Sequence, residues 1–137
     1  MNSTEDTTAE IVQFFSDFDD ASRNEDWMRC GDMFAQQFLT MDPTSATPVA
    51  RDNLVAFLPH RKSIFNRAGA TGTTLGSLDV EPLDSNHVLA RTTWDVVFDR
   101  DHDPVALRST FILRREDRWR IAVYLNHDSL LELLGLA

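Results

Sequence analysis

The sequence of 137 residues has few of the features that several large classes of protein require. It contains one cysteine, Cys30, which excludes an internal disulfide and fits a reducing compartment. No apolar run approaches the roughly 20 residues of a membrane helix. Residues 1–10 show neither the basic nor the apolar region of a secretory signal. We therefore expect a cytoplasmic protein with no membrane partner.

Positive charge is also scarce, because 13 lysines and arginines face 22 acids and the formal net charge is −9. A nucleic-acid partner is not expected, since phosphates require a basic face. Residues 1–50 carry ten of the acids and only two bases, Arg23 and Arg29. The simplest interpretation is a solvated helix face that favours solubility. The alternative is that acidic helices meet an Arg-bearing sheet within or between subunits.

Motifs of phosphate binding, nucleophilic catalysis and metal binding are missing. There is no Gly-rich phosphate loop and no Gly-x-Ser-x-Gly motif. The acidic cluster around His102 matches neither a calcium loop nor a zinc signature and is typical of a solvated turn. We predict no metal and no cofactor. The length predicts one domain, residues 1–137, with residues 1–5 disordered.

A period-two pattern of apolar residues dominates the second half of the chain. It covers residues 87–100, 105–116 and 119–126, where side chains such as Trp94 and Phe111 alternate with polar ones. Three such runs joined by short polar turns predict an antiparallel meander with a large apolar face. In the last run, Trp119, Ile121, Val123 and Leu125 are expected on one face and Tyr124 and Asn126 on the other.

The first half of the chain predicts helices that cover this face. Apolar residues recur at spacings of three and four up to Asn24, which is typical of an amphipathic helix. A second helix is predicted over residues 26–37, and a short strand over 38–42.

Further elements follow from the same reasoning. Residues 44–48 are predicted to be a loop, and a third helix starts near Arg51. Pro59 predicts a kink or a break at Leu58. A strand is predicted over residues 73–83, and a last short helix over 129–136.

This order of elements resembles the nuclear transport factor 2-like superfamily, which includes ketosteroid isomerase, scytalone dehydratase and SnoaL-like polyketide cyclases. The carriers of the resemblance are Phe34, residues 38–43 (Phe-Leu-Thr-Met-Asp-Pro), the Trp94 strand and residues 118–122 (Arg-Trp-Arg-Ile-Ala). The resemblance implies an α+β cystatin-like cone, in which N-terminal helices on a strongly bent antiparallel sheet enclose a pocket. It also implies a homodimer through the outer sheet face.

The resemblance to ketosteroid isomerase makes Asp42, which precedes Pro43, a candidate general base. Desolvation at the mouth of an apolar pocket would suit such a carboxylate to proton transfer. The alternative is that Asp42 ends a strand by accepting hydrogen bonds from its own turn. Two departures weaken the isomerase interpretation: without gaps, the positions of that enzyme's two oxyanion donors fall on Phe18 and Phe111.

His127, beside Asp128, is a second candidate acid or base, and Tyr124 could steady a developing oxyanion. The alternative is an exposed His127 with Asp128 as the cap of the last helix. Ungapped comparison with the isomerase pattern places one set of residues inward: Trp94, Val96, Phe98, Ser109, Phe111, Tyr124 and Asn126. The predicted pocket also includes Phe18, Trp27 and Phe38.

These observations predict a SnoaL-like protein with a pocket for a small apolar or aromatic molecule. If it is an enzyme, we expect cofactor-free acid/base chemistry, as in an isomerase, cyclase or dehydratase. The alternative is a non-catalytic domain that binds a ligand or forms a dimer, which the phenylalanines at positions 18 and 111 favour.

Overall fold

The computed structural model describes residues 4–136, which form four helices and one six-stranded sheet. The helices are α1 (Thr4–Arg23), α2 (Trp27–Asp32), α3 (Arg51–Arg67) and α4 (Leu130–Leu133). The strands are β1 (Phe34–Asp42), β2 (Ser45–Ala50), β3 (Ala70–Asp84), β4 (His87–Phe98), β5 (Ala106–Arg115) and β6 (Trp119–Asn126). The predicted α+β fold is confirmed. Within the described range, no helix combines the length and apolarity needed to cross a membrane.

The predicted disorder at residues 1–5 falls partly outside the described residues, which begin at Thr4. Thr4 and Glu5 already belong to α1. The helix follows the predicted apolar stripe and ends at Arg23, close to the predicted end at Asn24.

The strand order across the sheet is β2-β1-β6-β5-β4-β3. Strands β3 to β6 form an antiparallel meander, whereas β1 pairs with β6 in parallel. The sheet that we expected to be antiparallel is therefore mixed. Parallel neighbours need a long crossover connection, and here α3 and the strands of the meander lie between β1 and β6 in the chain.

A β-bulge at Ala122 reverses the inner face of β6, because the pairing with β5 passes over that residue. Trp119 and Ile121 precede the bulge and lie in the core, and Tyr124 after the bulge packs against the same core. Strict alternation had predicted Tyr124 and Asn126 on the face opposite Trp119 and Ile121. That prediction is wrong, because one extra residue shifts the period-two pattern.

The helix α1 is fixed to the sheet by aromatic packing and by one carboxylate. Phe15 of α1 and Phe111 of β5 are 0% and 1% exposed, with ring centroids 5.0 Å apart. Near the start of α1, the Glu10 carboxylate accepts a hydrogen bond of 2.7 Å from the Trp119 indole. It also pairs with the Arg115 guanidinium at 3.3 Å. These contacts set the position of α1 over the inner face of the sheet.

The junction between α2 and β1 differs from the prediction of a helix over residues 26–37. The helix ends at Asp32, and the extended chain begins at Phe34, which pairs with Ile121 of β6. The Ile121 amide donates to the Met33 carbonyl at 2.8 Å. Tertiary pairing therefore overrides the helical pattern of residues 33–37.

The two prolines at positions 48 and 59 sit in regular structure that is more continuous than the sequence predicted. Residues 44–48 were expected to form a loop, but Ser45–Ala50 is the edge strand β2, where a proline is tolerated. Helix α3 runs through Pro59 from Arg51 to Arg67 without the expected break at Leu58. Proline removes one hydrogen bond in the helix, and the contacts of α3 with α2 and β3 offset that loss.

The remaining boundaries differ by a few residues. Strand β3 starts at Ala70, three residues before its predicted start, because it pairs with the end of β4. Helix α4 is shorter than predicted and begins after Ser129, whose hydroxyl accepts from the Glu132 amide at 3.4 Å. Asp128 was one alternative for this cap and does not serve as it.

We predict that Phe15→Ala will destabilise the fold by about 3–5 kcal/mol, the usual cost of removing a buried phenylalanine. The cause is the cavity left against Phe111, which the surrounding sheet cannot close. The free energy of unfolding should be measured by urea denaturation followed by circular dichroism. Met28→Ala is the control, because Met28 is 73% exposed and its removal should change stability by about 0.5 kcal/mol or less. Equal effects of the two substitutions would contradict the assigned core.

Candidate functional site

A cavity of about 700 Å³ lies between the inner face of the sheet and the helices α1, α2 and α3. This volume falls within the range typical of small-molecule sites, roughly 300–1,000 Å³. Aromatic rings form much of its wall. They belong to Phe18, Trp27, Phe34, Phe38, Phe57, Phe65, Trp94, Phe111 and Tyr124. The cavity is therefore suited to an apolar body that packs against ring faces and edges.

A short chain of hydrogen bonds crosses the sheet at the wall of this cavity. The Trp94 indole donates to the Thr92 hydroxyl at 2.8 Å, and that hydroxyl donates to the Ser109 carbonyl at 3.2 Å. The Ser109 hydroxyl in turn donates to Oδ1 of Asn126 at 3.1 Å. Within residues 4–136 the amide nitrogen of Asn126 has no hydrogen-bond acceptor, so this N–H group remains free to contact a molecule in the cavity.

The Tyr124 ring is held flat against Phe111, with centroids 4.8 Å apart and an interplanar angle of 19°. The centroid of a second ring, that of Phe34, lies 6.2 Å from the Tyr124 centroid. The tyrosine hydroxyl has no hydrogen-bond partner among the described residues. The bulge at Ala122 is what turns Tyr124 and Asn126 to this side of the sheet. Tyr124 and Asn126 are thus two of the polar groups in the cavity that a ligand could engage.

Phe18 and Phe111, both predicted as pocket residues, line the cavity. Their ring centroids are 6.4 Å apart, and the Phe18 ring also lies 5.8 Å from Trp94. The wall at this point is hydrocarbon and offers no hydrogen-bond donor to an oxyanion.

Asp42 does not line this cavity, and its carboxylate serves the turn between β1 and β2. Oδ1 accepts hydrogen bonds from the amides of Thr44 and Ser45, both at 2.9 Å, and from their hydroxyls at 3.2 and 3.0 Å. The hydrogen bond from the Thr44 amide contributes most to a pKa of Asp42 below its usual value. This geometry matches the turn alternative, because a base desolvated in a pocket would have its pKa raised.

His127 also lies outside the main cavity. Its Nε2 atom is 2.6 Å from the Thr110 hydroxyl, and its amide donates to the Arg108 carbonyl at 3.0 Å. The neighbouring Asp128 pairs with the Arg108 guanidinium at 2.7 Å, which lowers the pKa of Asp128. The acid/base pair of His127 and Asp128 considered from the sequence is not formed, because Arg108 holds the carboxylate.

Asp42 and His127 instead face a second cavity of about 570 Å³ beside the first. The two cavities share Arg61, Leu107 and Asn126 in their walls. The structure thus separates the residues proposed from sequence as acids or bases from the aromatic pocket.

Most of the other residues predicted for the pocket do line the main cavity: Trp27, Phe38, Trp94 and Ser109 do so alongside the residues described above. Val96 and Phe98 do not. Val96 is buried in the core, and Phe98 stacks on His102 with centroids 3.8 Å apart. The alternation of β4 continues to this end of the sheet, since Trp94 and Val96 are buried whereas Asp95 and Val97 are exposed. The cavity wall there includes Val97.

Sequence reasoning missed the charged part of the wall, which consists of Arg23, Arg61 and Lys62. Arg61 and Lys62 lie in α3 beyond Pro59, where a break was expected, so their orientation could not be assigned. It also missed Cys30 as a wall residue. Burial raises the pKa of the Cys30 thiol to about 11, so this side chain stays protonated and unreactive near neutral pH.

Comparison with known families places these features in context. The family described as NTF2-like protein (DUF6841) matches residues 5–129. None of the curated protein sequences matches the chain.

Solved structures share the fold at low sequence identity. Aln2 from a Streptomyces species is 14% identical, with 98% of each chain covered and a TM-score of 0.76. A cystatin-like protein of unknown function from Nostoc punctiforme is 13% identical, with 93% of this chain and 94% of that chain covered and a TM-score of 0.74. An NTF2-like protein of unknown function from Shewanella oneidensis is 18% identical, with 89% of this chain and 99% of that chain covered and a TM-score of 0.70. At such identities the likeness shows the fold alone.

We predict that the contribution of Asp42 to stability depends on pH. Because its folded pKa is lowered, the ionised carboxylate stabilises the turn above the unfolded value of roughly 3.9, and this contribution is lost as pH falls through the folded pKa. Wild type should therefore exceed Asp42→Ala in unfolding midpoint at pH 7, and the difference should shrink toward pH 2.5. The unfolding midpoints of the two proteins at each pH should be measured by thermal unfolding followed by circular dichroism.

Asp42→Asn is the matched control, since its amide oxygen can still accept from the Thr44 and Ser45 amides. Its midpoint should lie closer to wild type than that of Asp42→Ala at pH 7. A difference between wild type and Asp42→Ala that does not change with pH would contradict the turn role.

Proposed function

This chain belongs to the NTF2-like family DUF6841, and we propose that its aromatic cavity binds a small, mostly apolar molecule without supplying the acid or base for a reaction. The observation that carries the proposal is the cavity of about 700 Å³ walled by aromatic rings. A cavity of this size leaves much of its apolar wall without protein side chains packed against it. A bound apolar molecule would supply that packing.

The few polar groups in the wall support a role in orienting such a molecule. Tyr124 is held by its stack on Phe111, and Asn126 by its hydrogen bond from Ser109. Their free hydroxyl and amide N–H groups therefore have fixed positions. Small-molecule sites commonly combine an apolar wall with a small number of such polar groups.

The composition of the wall supports binding over catalysis. No aspartate, glutamate or histidine of residues 4–136 lines the main cavity. The Cys30 thiol, with its raised pKa, is a poor proton acceptor and a poor nucleophile at neutral pH. Asp42 is engaged by its turn and His127 by Thr110. The acid/base candidates of the chain thus have other contacts away from the cavity.

We predict that the neutral probe N-phenyl-1-naphthylamine will bind with one site per chain and increased fluorescence. Leu54→Trp, which enlarges a wall residue of α3, should weaken this binding at least about tenfold, since a filled pocket excludes the probe. Val12→Trp is the matched control, because Val12 is 50% exposed on α1 and does not line the cavity. The dissociation constant of the probe for each variant and for wild type should be measured by fluorescence titration at a fixed protein concentration.

Equal affinity in Leu54→Trp and wild type would contradict binding in this cavity. The non-catalytic part of the proposal has its own test. An apolar cyclic ketone that displaces the probe should exchange its α-protons in D₂O no faster with the protein than without it. Faster exchange would reassign the site to an enzyme.

We also propose that the protein is a homodimer joined through the outer sheet face. Apolar side chains on that face form a patch across three neighbouring strands, defined by Leu39, Met41, Ile112, Val123 and Leu125. The pairs Leu39–Val123, Met41–Leu125 and Ile112–Val123 are direct neighbours in the sheet. A contiguous apolar patch on an outer face favours association.

A charge within this patch should separate the subunits. We predict that Ile112→Arg will elute as a monomer at micromolar concentration while wild type elutes as a dimer, because a buried unpaired guanidinium is costly. Arg91→Gln, on the outer face of β4 beside Asp79 and Glu81, is the control and should remain dimeric. Size-exclusion chromatography with light scattering measures the mass. A monomeric wild type would contradict the proposal.

A further inference from the structure

We infer that the molecule bound in the cavity carries an anionic group on its apolar body, and that Arg61 and Lys62 of α3 hold this group. The inference deepens the proposed function and rests on it. It names an amphipathic anion, such as an aromatic or aliphatic carboxylate, as the ligand class.

The sign of the charges in the wall is the first observation. The chain contains 22 acids and 13 bases. Even so, the charged residues that line the main cavity are Arg23, Arg61 and Lys62, all of them cations. A wall that only solvated its charges would be expected to reflect the acidic composition of the chain. The inner surface therefore has the opposite charge to the protein as a whole.

The second observation is that Arg61 and Lys62 lack carboxylate partners among the described residues. Nine of the thirteen lysines and arginines form ion pairs. The four that have no carboxylate within 4 Å among residues 4–136 are Arg61, Lys62, Arg67 and Arg114. Two of these four line the cavity. In a chain with excess acid, unpaired cations concentrated at a cavity indicate that an external anion pairs with them.

The third observation is that both side chains are held in place by neutral groups. The Arg61 guanidinium lies over the Phe65 ring, 4.8 Å from its centroid. The Lys62 ammonium donates to the Thr71 carbonyl at the start of β3. An aromatic face and one carbonyl leave the positive charges uncompensated and most of their N–H donors free.

Arg23 differs from this pair because it already has a carboxylate. Asp19, which is buried, lies 3.6 Å from the Arg23 guanidinium and accepts from the Thr74 hydroxyl at 3.3 Å. Asp19 thus positions Arg23 at the cavity and offsets its charge. The anion preference is therefore assigned to Arg61 and Lys62.

The physical consequence is a difference between two ligands of the same shape. A neutral ligand that fills the cavity removes water from the two cations and gives them no partner. An anionic ligand replaces that water with charge-assisted hydrogen bonds, which are stronger than neutral ones. Such bonds correspond to about tenfold or more in affinity.

A pair of probes tests this directly, because 8-anilino-1-naphthalenesulfonate is N-phenyl-1-naphthylamine with one added sulfonate. We expect wild type to bind the sulfonate about tenfold more tightly than the neutral probe at 25 mM salt, with the preference reduced at 500 mM salt. In the double variant Arg61→Gln, Lys62→Gln, the sulfonate should weaken about tenfold and the neutral probe by less than about twofold. Fluorescence titration measures all four dissociation constants.

The matched control is the double variant Arg67→Gln, Arg114→Gln, which removes the other two unpaired cations and the same net charge. Arg67 is exposed at the end of α3, and neither residue lines the cavity. It should keep the full preference for the sulfonate. Decanoate and decanol extend the test to carboxylates, and decanoate should displace the neutral probe at the lower concentration.

Each result has a distinct meaning. Equal affinity for the two probes in wild type, or a preference that survives in Arg61→Gln, Lys62→Gln, overturns the inference and leaves the proposed function standing. If wild type binds neither probe, both the inference and the proposed function are overturned. If the Arg61→Gln, Lys62→Gln variant also fails to bind the neutral probe, the single variants Arg61→Gln and Lys62→Gln provide the test. Each should weaken the sulfonate relative to the neutral probe, and an unchanged ratio in both overturns the inference.

Discussion

Phe15 of α1 and Phe111 of β5 form the contact that holds the first helix against the sheet. The two rings are almost fully buried and lie 5.0 Å apart, so they fix the distance between the helix and the sheet. On one side of this contact the interior is packed with side chains. On the other side, one helical turn further along α1, Phe18 faces the cavity. The same pair of elements therefore forms both the core and the wall of the site.

The cavity exists because the helices cover the sheet unevenly. Helix α1 packs along β3 and, through Phe15, against Phe111 of β5. Helix α3 meets the sheet through β1, β2 and β3. Gly31 allows α2 to approach α3 closely, since a Cβ there would lie 2.3 Å from the Val55 side chain. The space between α1 and α3 is left for the aromatic pocket. Its volume follows from the positions of three helices and from no single residue.

Electrostatics divides the molecule into an acidic exterior and a cationic interior surface. Acids on the helices are largely occupied by arginines nearby, as with Arg29 beside Asp17 and Asp20. Most of the sheet arginines are also paired, for example Arg108 with Asp128. Only after these pairs are accounted for do Arg61 and Lys62 stand out at the cavity. Net charge alone points away from this conclusion, because it describes the outer surface.

The residue pattern was enough to predict the α+β class, the meander of β4 to β6 and the apolar stripe of α1. These follow from residue periodicity and from local turn chemistry, which are written in neighbouring positions. Other features emerged only in the folded chain: the parallel pairing of β1 with β6, the bulge at Ala122, the continuity of α3 through Pro59 and the orientation of Arg61 and Lys62. Each of these depends on contacts between residues distant in the chain, whose energy no local pattern records. Asp42 illustrates the difference between local and long-range information. The Asp-Pro pair was enough to suggest its turn, but the position of that turn outside the cavity follows from the fold.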